Sequence, residues 1–226
     1  MNIQNVQQKF RCVIYDCDGV LFDSIETNRR LYNYICTSVG RPPLTEEELK
    51  YAHMHTVFEA IHFIFRNTES LERKALELLP GIDPKENITH LKNEPNLLQT
   101  LKILRGMGIF RAINTNRSTS MKYVMDWFDL WPYFDLVVTS LDVRNPKPHP
   151  ESIEKIMETF QVEPRETVFV GDSEIDGQAA ESAGVKFISY KNRGIAKDIF
   201  IDDHLALINI LGIGEGPPPS HTLCPR

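Results

Sequence analysis

The chain has 226 residues, 42% hydrophobic and 25% charged, with a formal net charge of −6. This is the make-up of a soluble globular protein, long enough for one large domain or for a core with an insertion. The acidic balance without a basic stripe argues against a nucleic-acid partner, and no apolar run approaches the length of a membrane span.

Residues 10–15 (FRCVIY) form a short apolar run that stops at Asp16 and reads as a buried strand. Residues 24–39 carry an apolar stripe at helical spacing, closed by Gly40 and the pair Pro42–Pro43. Thr45 with Glu48, and Thr56 with Glu59, each form a capping-box pattern, so two further helices start there. Another helix is predicted over 70–79, ending at Pro80–Gly81. From residue 93 the pattern changes. Predicted helices at 95–106, 118–128, 150–160 and 174–183 alternate with predicted strands at 110–115, 136–139, 167–170 and 187–190. Such alternation implies a parallel sheet covered on both faces. The expected architecture is therefore α/β, a doubly wound parallel sheet (a Rossmann-like core) from residues 1–23 and 93–211. Residues 24–92 form an inserted helical domain, and 212–226, rich in Pro and Gly, form a flexible tail.

The opening MNIQNVQQKF has no apolar segment, so no secretory signal is expected. Four cysteines without metal-type spacing predict reduced thiols and a cytoplasmic protein.

In an open α/β sheet, sites form beyond the carboxyl ends of the strands. Four segments place polar groups there: DCDGVLFDS from Asp16, NTNRS around Thr115, NPKPHPES around Lys147, and VGDSEIDGQAAESAG with Asp172 and Asp176. Gly19 permits the tight turn after the two aspartates. Carboxylates crowded at one edge need a cation, and hard oxygen ligands suit Mg²⁺. Lys147 and Thr115 are suited to the remaining oxygens of a phosphoryl group, whose developing charge is met by fixed electrostatics. Each segment alone is a common turn or loop; their joint order, each after a predicted strand, is what points to one site.

Together these segments resemble the four motifs of the haloacid dehalogenase superfamily of aspartate-nucleophile phosphohydrolases. The inserted helices resemble the α-helical cap of its phosphoglycolate phosphatase and β-phosphoglucomutase branch. The resemblance covers almost all of residues 10–211. It implies that Asp16 is the nucleophile, Asp18 the general acid/base, Thr115 and Asn116 phosphate-binding groups, and Lys147 both a phosphate-binding and a charge-neutralising group. It also implies that Mg²⁺ is held by Asp16, the Asp18 main-chain carbonyl and Asp172, with Asp176 in support. Asp18 argues against the dehalogenases and phosphonoacetaldehyde hydrolases, which lack an aspartate two positions after the nucleophile; an acid there serves an alkoxide leaving group. The expected activity is Mg²⁺-dependent hydrolysis of a small-molecule phosphate ester. A phosphosugar mutase using the same aspartate, and a non-catalytic phosphate-binding regulatory protein, are the alternatives. For the leaving group, the stretch His53, Met54 and His55 stands where relatives carry a loop with a glycine. Arg117 reads as a structural residue.

Overall fold

The computed structural model describes residues 10–212. In chain order its elements are β1 (Cys12–Tyr15), β2 (Phe22–Asp23), α1 (Ile25–Ser38), α2 (Glu46–Met54), α3 (Val57–Phe65), α4 (Glu69–Leu78), α5 (Pro84–Ile88) and β3 (Lys92–Asn93). There follow α6 (Leu97–Gly106), β4 (Phe110–Asn114), α7 (Ser120–Trp127), β5 (Leu136–Val138), α8 (Glu151–Phe160), β6 (Thr167–Gly171), α9 (Glu174–Ser182), β7 (Lys186–Tyr190), β8 (Phe200–Ile201) and α10 (Ala206–Ile210).

The main sheet has the order β5-β4-β1-β6-β7-β8, and every neighbouring pair is parallel. All four residues of β1 are buried, as a central strand covered on both faces requires. Its register pairs Ile14 with Ala112 on one side and with Phe169 on the other. That register brings the carboxyl ends of β1, β4 and β6 to one edge. The chain runs outward from β1 in both directions, so this edge is also the topological switch point.

Two apolar layers cover the sheet. On one face, Leu101 of α6, Met121 and Val124 of α7 and Leu207 of α10 pack on Val13 and Tyr15. On the other, Ile153 and Ile156 of α8 and Ala179 and Ala180 of α9 pack on Cys12, Ile14 and Phe169. The helices α1 to α4 have a separate core of Tyr32, Ile35, Ile61, Phe65 and Ala75. Both capping boxes read in the sequence form, with Thr45 accepting from Glu48 N and Thr56 from Glu59 N.

The sequence pattern missed the β2–β3 ribbon, where Phe22 pairs antiparallel with Asn93, and the edge strand β8. Two-residue strands are too short to display a period. Helix α2 extends through Met54, so His53 and Met54 belong to its last turn and only His55 and Thr56 separate it from α3. Apart from Gly212, the tail expected at 212–226 lies outside the described residues. No helix among the described residues is long and apolar enough to cross a membrane.

Candidate active site

Strand β1 ends at Tyr15, and Asp16 stands at its tip, its N–H donating to Val170 O of β6 at 2.9 Å. The chain then turns sharply. Gly19 adopts φ +73°, its N–H donates to Phe22 O, and Leu21 N donates to Cys17 O. A Cβ at Gly19 would fall 2.0 Å from Asp172 Oδ2, so glycine is needed for space as well as for backbone angle. Gly171 plays the matching part at the end of β6, where a Cβ would meet Asp176 at 2.5 Å.

Lys147 is 2% exposed and binds two carboxylates, Asp16 Oδ1 and Asp176 Oδ1, each at 2.7 Å. The other oxygen of Asp176 accepts from Ser173 N at 3.1 Å and from Ser173 Oγ at 2.5 Å. Ser173 in turn caps α9, so one buried carboxylate serves both a helix N-terminus and the lysine. Asp16, Asp172 and Asp176 each offer an oxygen within 4.8 Å of the others. Burial, with the neighbouring Asp176 charge, pushes the Asp16 carboxyl up to about 7 against the pull of Lys147. Asp172 is likewise pushed well up, by burial and then by Asp176 and Asp16. Three carboxylates around one lysine leave an excess of buried negative charge.

Asp18 has a different partner from the cluster. Its two oxygens accept from Arg117 Nε and Nη2, both at 2.6 Å, in a bidentate pair. Burial alone would raise the Asp18 carboxyl, but the Arg117 guanidinium holds it down at about 2. The sequence reading gave Arg117 no part in the site; the bidentate partner lies 99 residues away and leaves no local signature.

Thr115 is buried beside the site, its hydroxyl accepting from Arg117 N at 3.1 Å. The Asn116 amide donates to Lys147 O and Met54 O, both at 3.1 Å, and its oxygen accepts from Lys147 N at 3.2 Å. This side chain therefore braces the lysine loop and ties the end of α2 to the core.

His53 Nδ1 lies 2.9 Å from Asn28 Nδ2, and its Nε2 lies 3.9 Å from Asp172 Oδ2. Burial lowers the His53 pKa, although the Asp18 charge opposes this. The His55 ring stacks on Tyr51 at 3.8 Å and its Nδ1 meets Tyr51 O at 2.9 Å. Both histidines and Met54 line the same cavity as Asp16, Asp18, Thr115, Asn116 and Lys147. Asp172 borders a smaller adjoining cavity that His53 and Met54 also line. Arg29 and Arg30 of α1 sit outside, engaged with Glu46, Glu26 and His90.

A family model for haloacid dehalogenase-like hydrolases matches residues 13–190. The chain is similar to a phosphoglycolate phosphatase of Pseudomonas putida, 26% identical over 88% of this chain and 78% of that one. A phosphoglycolate phosphatase 1 of Pseudomonas aeruginosa is 28% identical over 78% of this chain and 67% of its own length. Among solved structures, a haloacid dehalogenase-superfamily hydrolase of subfamily IA from Geobacter sulfurreducens is 38% identical. It covers 91% of this chain and 98% of its own, with a TM-score of 0.74.

Proposed function

The chain belongs to the haloacid dehalogenase-like hydrolases, in their phosphoglycolate phosphatase-like branch, and we propose that it hydrolyses a small-molecule phosphate monoester through a phospho-aspartate on Asp16. It is an enzyme of the phosphatase kind. The supporting observation is the surroundings of Asp16: a nucleophilic carboxylate at a strand tip, with Lys147 at 2.7 Å, two more carboxylates within 4.8 Å, and a cavity in front of it.

The donor set fits a hard divalent cation. Asp16, Asp172 and the Asp18 carbonyl would hold Mg²⁺, with Asp176 behind them, and the excess of buried negative charge is what such an ion relieves. When bound, it supplies positive charge where phosphate dianion and carboxylate must approach each other.

Asp16 attacks phosphorus, a new P–O bond forms to its carboxylate, and the P–O bond to the alcohol breaks. Asp18, ionised and paired with Arg117 in the free site, must first take up a proton from solvent, which it then gives to the departing oxygen. In the second half, Asp18 takes a proton from water, whose oxygen attacks phosphorus and releases Asp16 with inorganic phosphate. Lys147 and Thr115 hold phosphoryl oxygens throughout. The helices α1 to α5 act as a cap over residues 24–92, excluding water while the ester is cleaved. A cytoplasmic setting belongs to the same reading.

Asp16→Asn keeps shape and removes the nucleophile. Expected is complete loss of Mg²⁺-dependent turnover of p-nitrophenyl phosphate, with unchanged circular dichroism. In wild type, acid quench should trap a phosphorylated peptide containing Asp16. Persistent turnover in the variant, or a phosphate trapped on another residue, sinks the assignment.

A further inference from the structure

The cavity in front of Asp16 has a volume of about 330 Å³. Its lining includes the phosphoryl-binding set Asp16, Asp18, Thr115 and Lys147, and uncharged polar side chains such as Asn28, Asn87 and Ser120. It also includes an apolar group from the helical insertion, Leu31, Val57, Phe58, Leu79, Ile82 and Ile88. Leu31, Val57, Leu79 and Ile82 are half-buried side chains at the margin of the helical core. Phe58 is 58% exposed.

Every cationic or potentially cationic side chain lining this cavity is already engaged. Lys147 sits between Asp16 and Asp176. Arg117 is bidentate with Asp18. His53 contacts Asn28 and faces Asp172, and His55 is stacked on Tyr51 with Nδ1 on a carbonyl. With Lys147 and the cation taken up by the phosphoryl group, a second anionic group on the substrate would meet only side-chain cations that already have partners, which is disfavoured away from water. An apolar body, by contrast, would cover aliphatic surface and gain from leaving water. A two-carbon hydroxy acid would leave most of the apolar wall uncovered.

We propose that the substrate is the phosphate monoester of an uncharged alcohol with an extended apolar body, not of a small hydroxy acid. This rests on the phosphatase reading above and specifies its leaving group. The phosphoryl-binding set takes the phosphoryl group, and the helical wall selects the alcohol by area.

The test is kcat/KM with Mg²⁺ for ethyl, butyl and hexyl phosphate and for 2-phosphoglycolate, all esters of primary alcohols. Expected is a rise of roughly two- to fourfold per methylene, with hexyl phosphate exceeding 2-phosphoglycolate by about tenfold or more. A flat series, or 2-phosphoglycolate matching hexyl phosphate, while p-nitrophenyl phosphate is hydrolysed, overturns the proposal and leaves the phosphatase reading standing. Absence of turnover on every ester overturns the phosphatase reading and the proposal that rests on it. Where turnover is seen, calorimetric binding of n-hexylphosphonate against phosphonoacetate reads the same preference without the chemical step: tighter binding of the alkyl compound supports the proposal, and tighter or equal binding of the carboxylate overturns it. Phe58→Ala, at an exposed position that does not threaten folding, should lower kcat/KM for hexyl phosphate more than for ethyl phosphate. Equal losses count against the apolar wall.

Discussion

Arg117 sets the protonation state of Asp18. Two 2.6 Å bonds hold the carboxylate ionised at about 2, which suits a base that must accept a proton from water. Remove the guanidinium and burial is opposed only by the smaller pulls of His53 and Ser24, so the carboxyl rises. With p-nitrophenyl phosphate the leaving group needs no proton, and the base step is the one that shows. Arg117→Met should therefore move the acidic limb of the pH–rate profile upward by at least about one unit, because the deprotonated base is lost at a higher pH. An unmoved limb would return Arg117 to a purely structural part. The sequence could not reveal this pair: an arginine two positions after Thr115 looks like any loop arginine until the sheet brings it beside Asp18. Asp16, Asp18, Lys147 and Asp172 were legible, because strand ends and short polar segments mark them in order.

Helix α9 carries a second economy of parts. Its N-cap Ser173 and the N3 residue Asp176 form a capping box, and the same Asp176 holds Lys147. Ser173→Ala removes the hydroxyl at 2.5 Å and should cost about 1 kcal/mol of stability, a fall in Tm of roughly 2–4 °C for a chain of this size. Activity should fall as well, since Asp176 loses a restraint on the oxygen opposite Lys147. A scanning-calorimetry shift without any change in kcat/KM would separate the helix cap from the site. Such boxes are readable in a sequence: those at Thr45 and Thr56 were legible, and Ser173 with Asp176 shows the same spacing with a shorter acid. The two-residue strands were not legible, because pairing partners rather than local pattern create them. The extent of the last turn of α2 was obscured by histidines, which favour neither helix nor loop strongly enough to decide.

At the scale of the molecule, the acidic cluster couples stability to pH. The Asp16 carboxyl is raised to about 7 and Asp172 is raised too, both chiefly by burial. The fold therefore favours their protonated forms. That contribution is fully present below the ordinary carboxylate range, near 4, and is lost as pH rises through about 7. Metal-free protein should become less stable across that window. Mg²⁺, which binds the ionised cluster, should raise Tm more at about pH 8 than at about pH 5. Thermal scans with and without chelator at the two pH values check this; an equal Mg²⁺ shift at both would mean the carboxyls are already ionised without metal. The sheet order has one further consequence. Strand β1 pairs Cys12 with Phe110 and with Thr167, so during synthesis it leaves the ribosome well ahead of both neighbours. At ~5–20 residues per second, the second neighbour follows roughly 8–30 s later. For that interval CVIY is an unpaired apolar edge, while the helices of 25–78, whose contacts are local, can already gather around Ile61. The nascent chain thus carries an apolar strand before it can pair it, and chaperone occupancy on the ribosome should include that first strand.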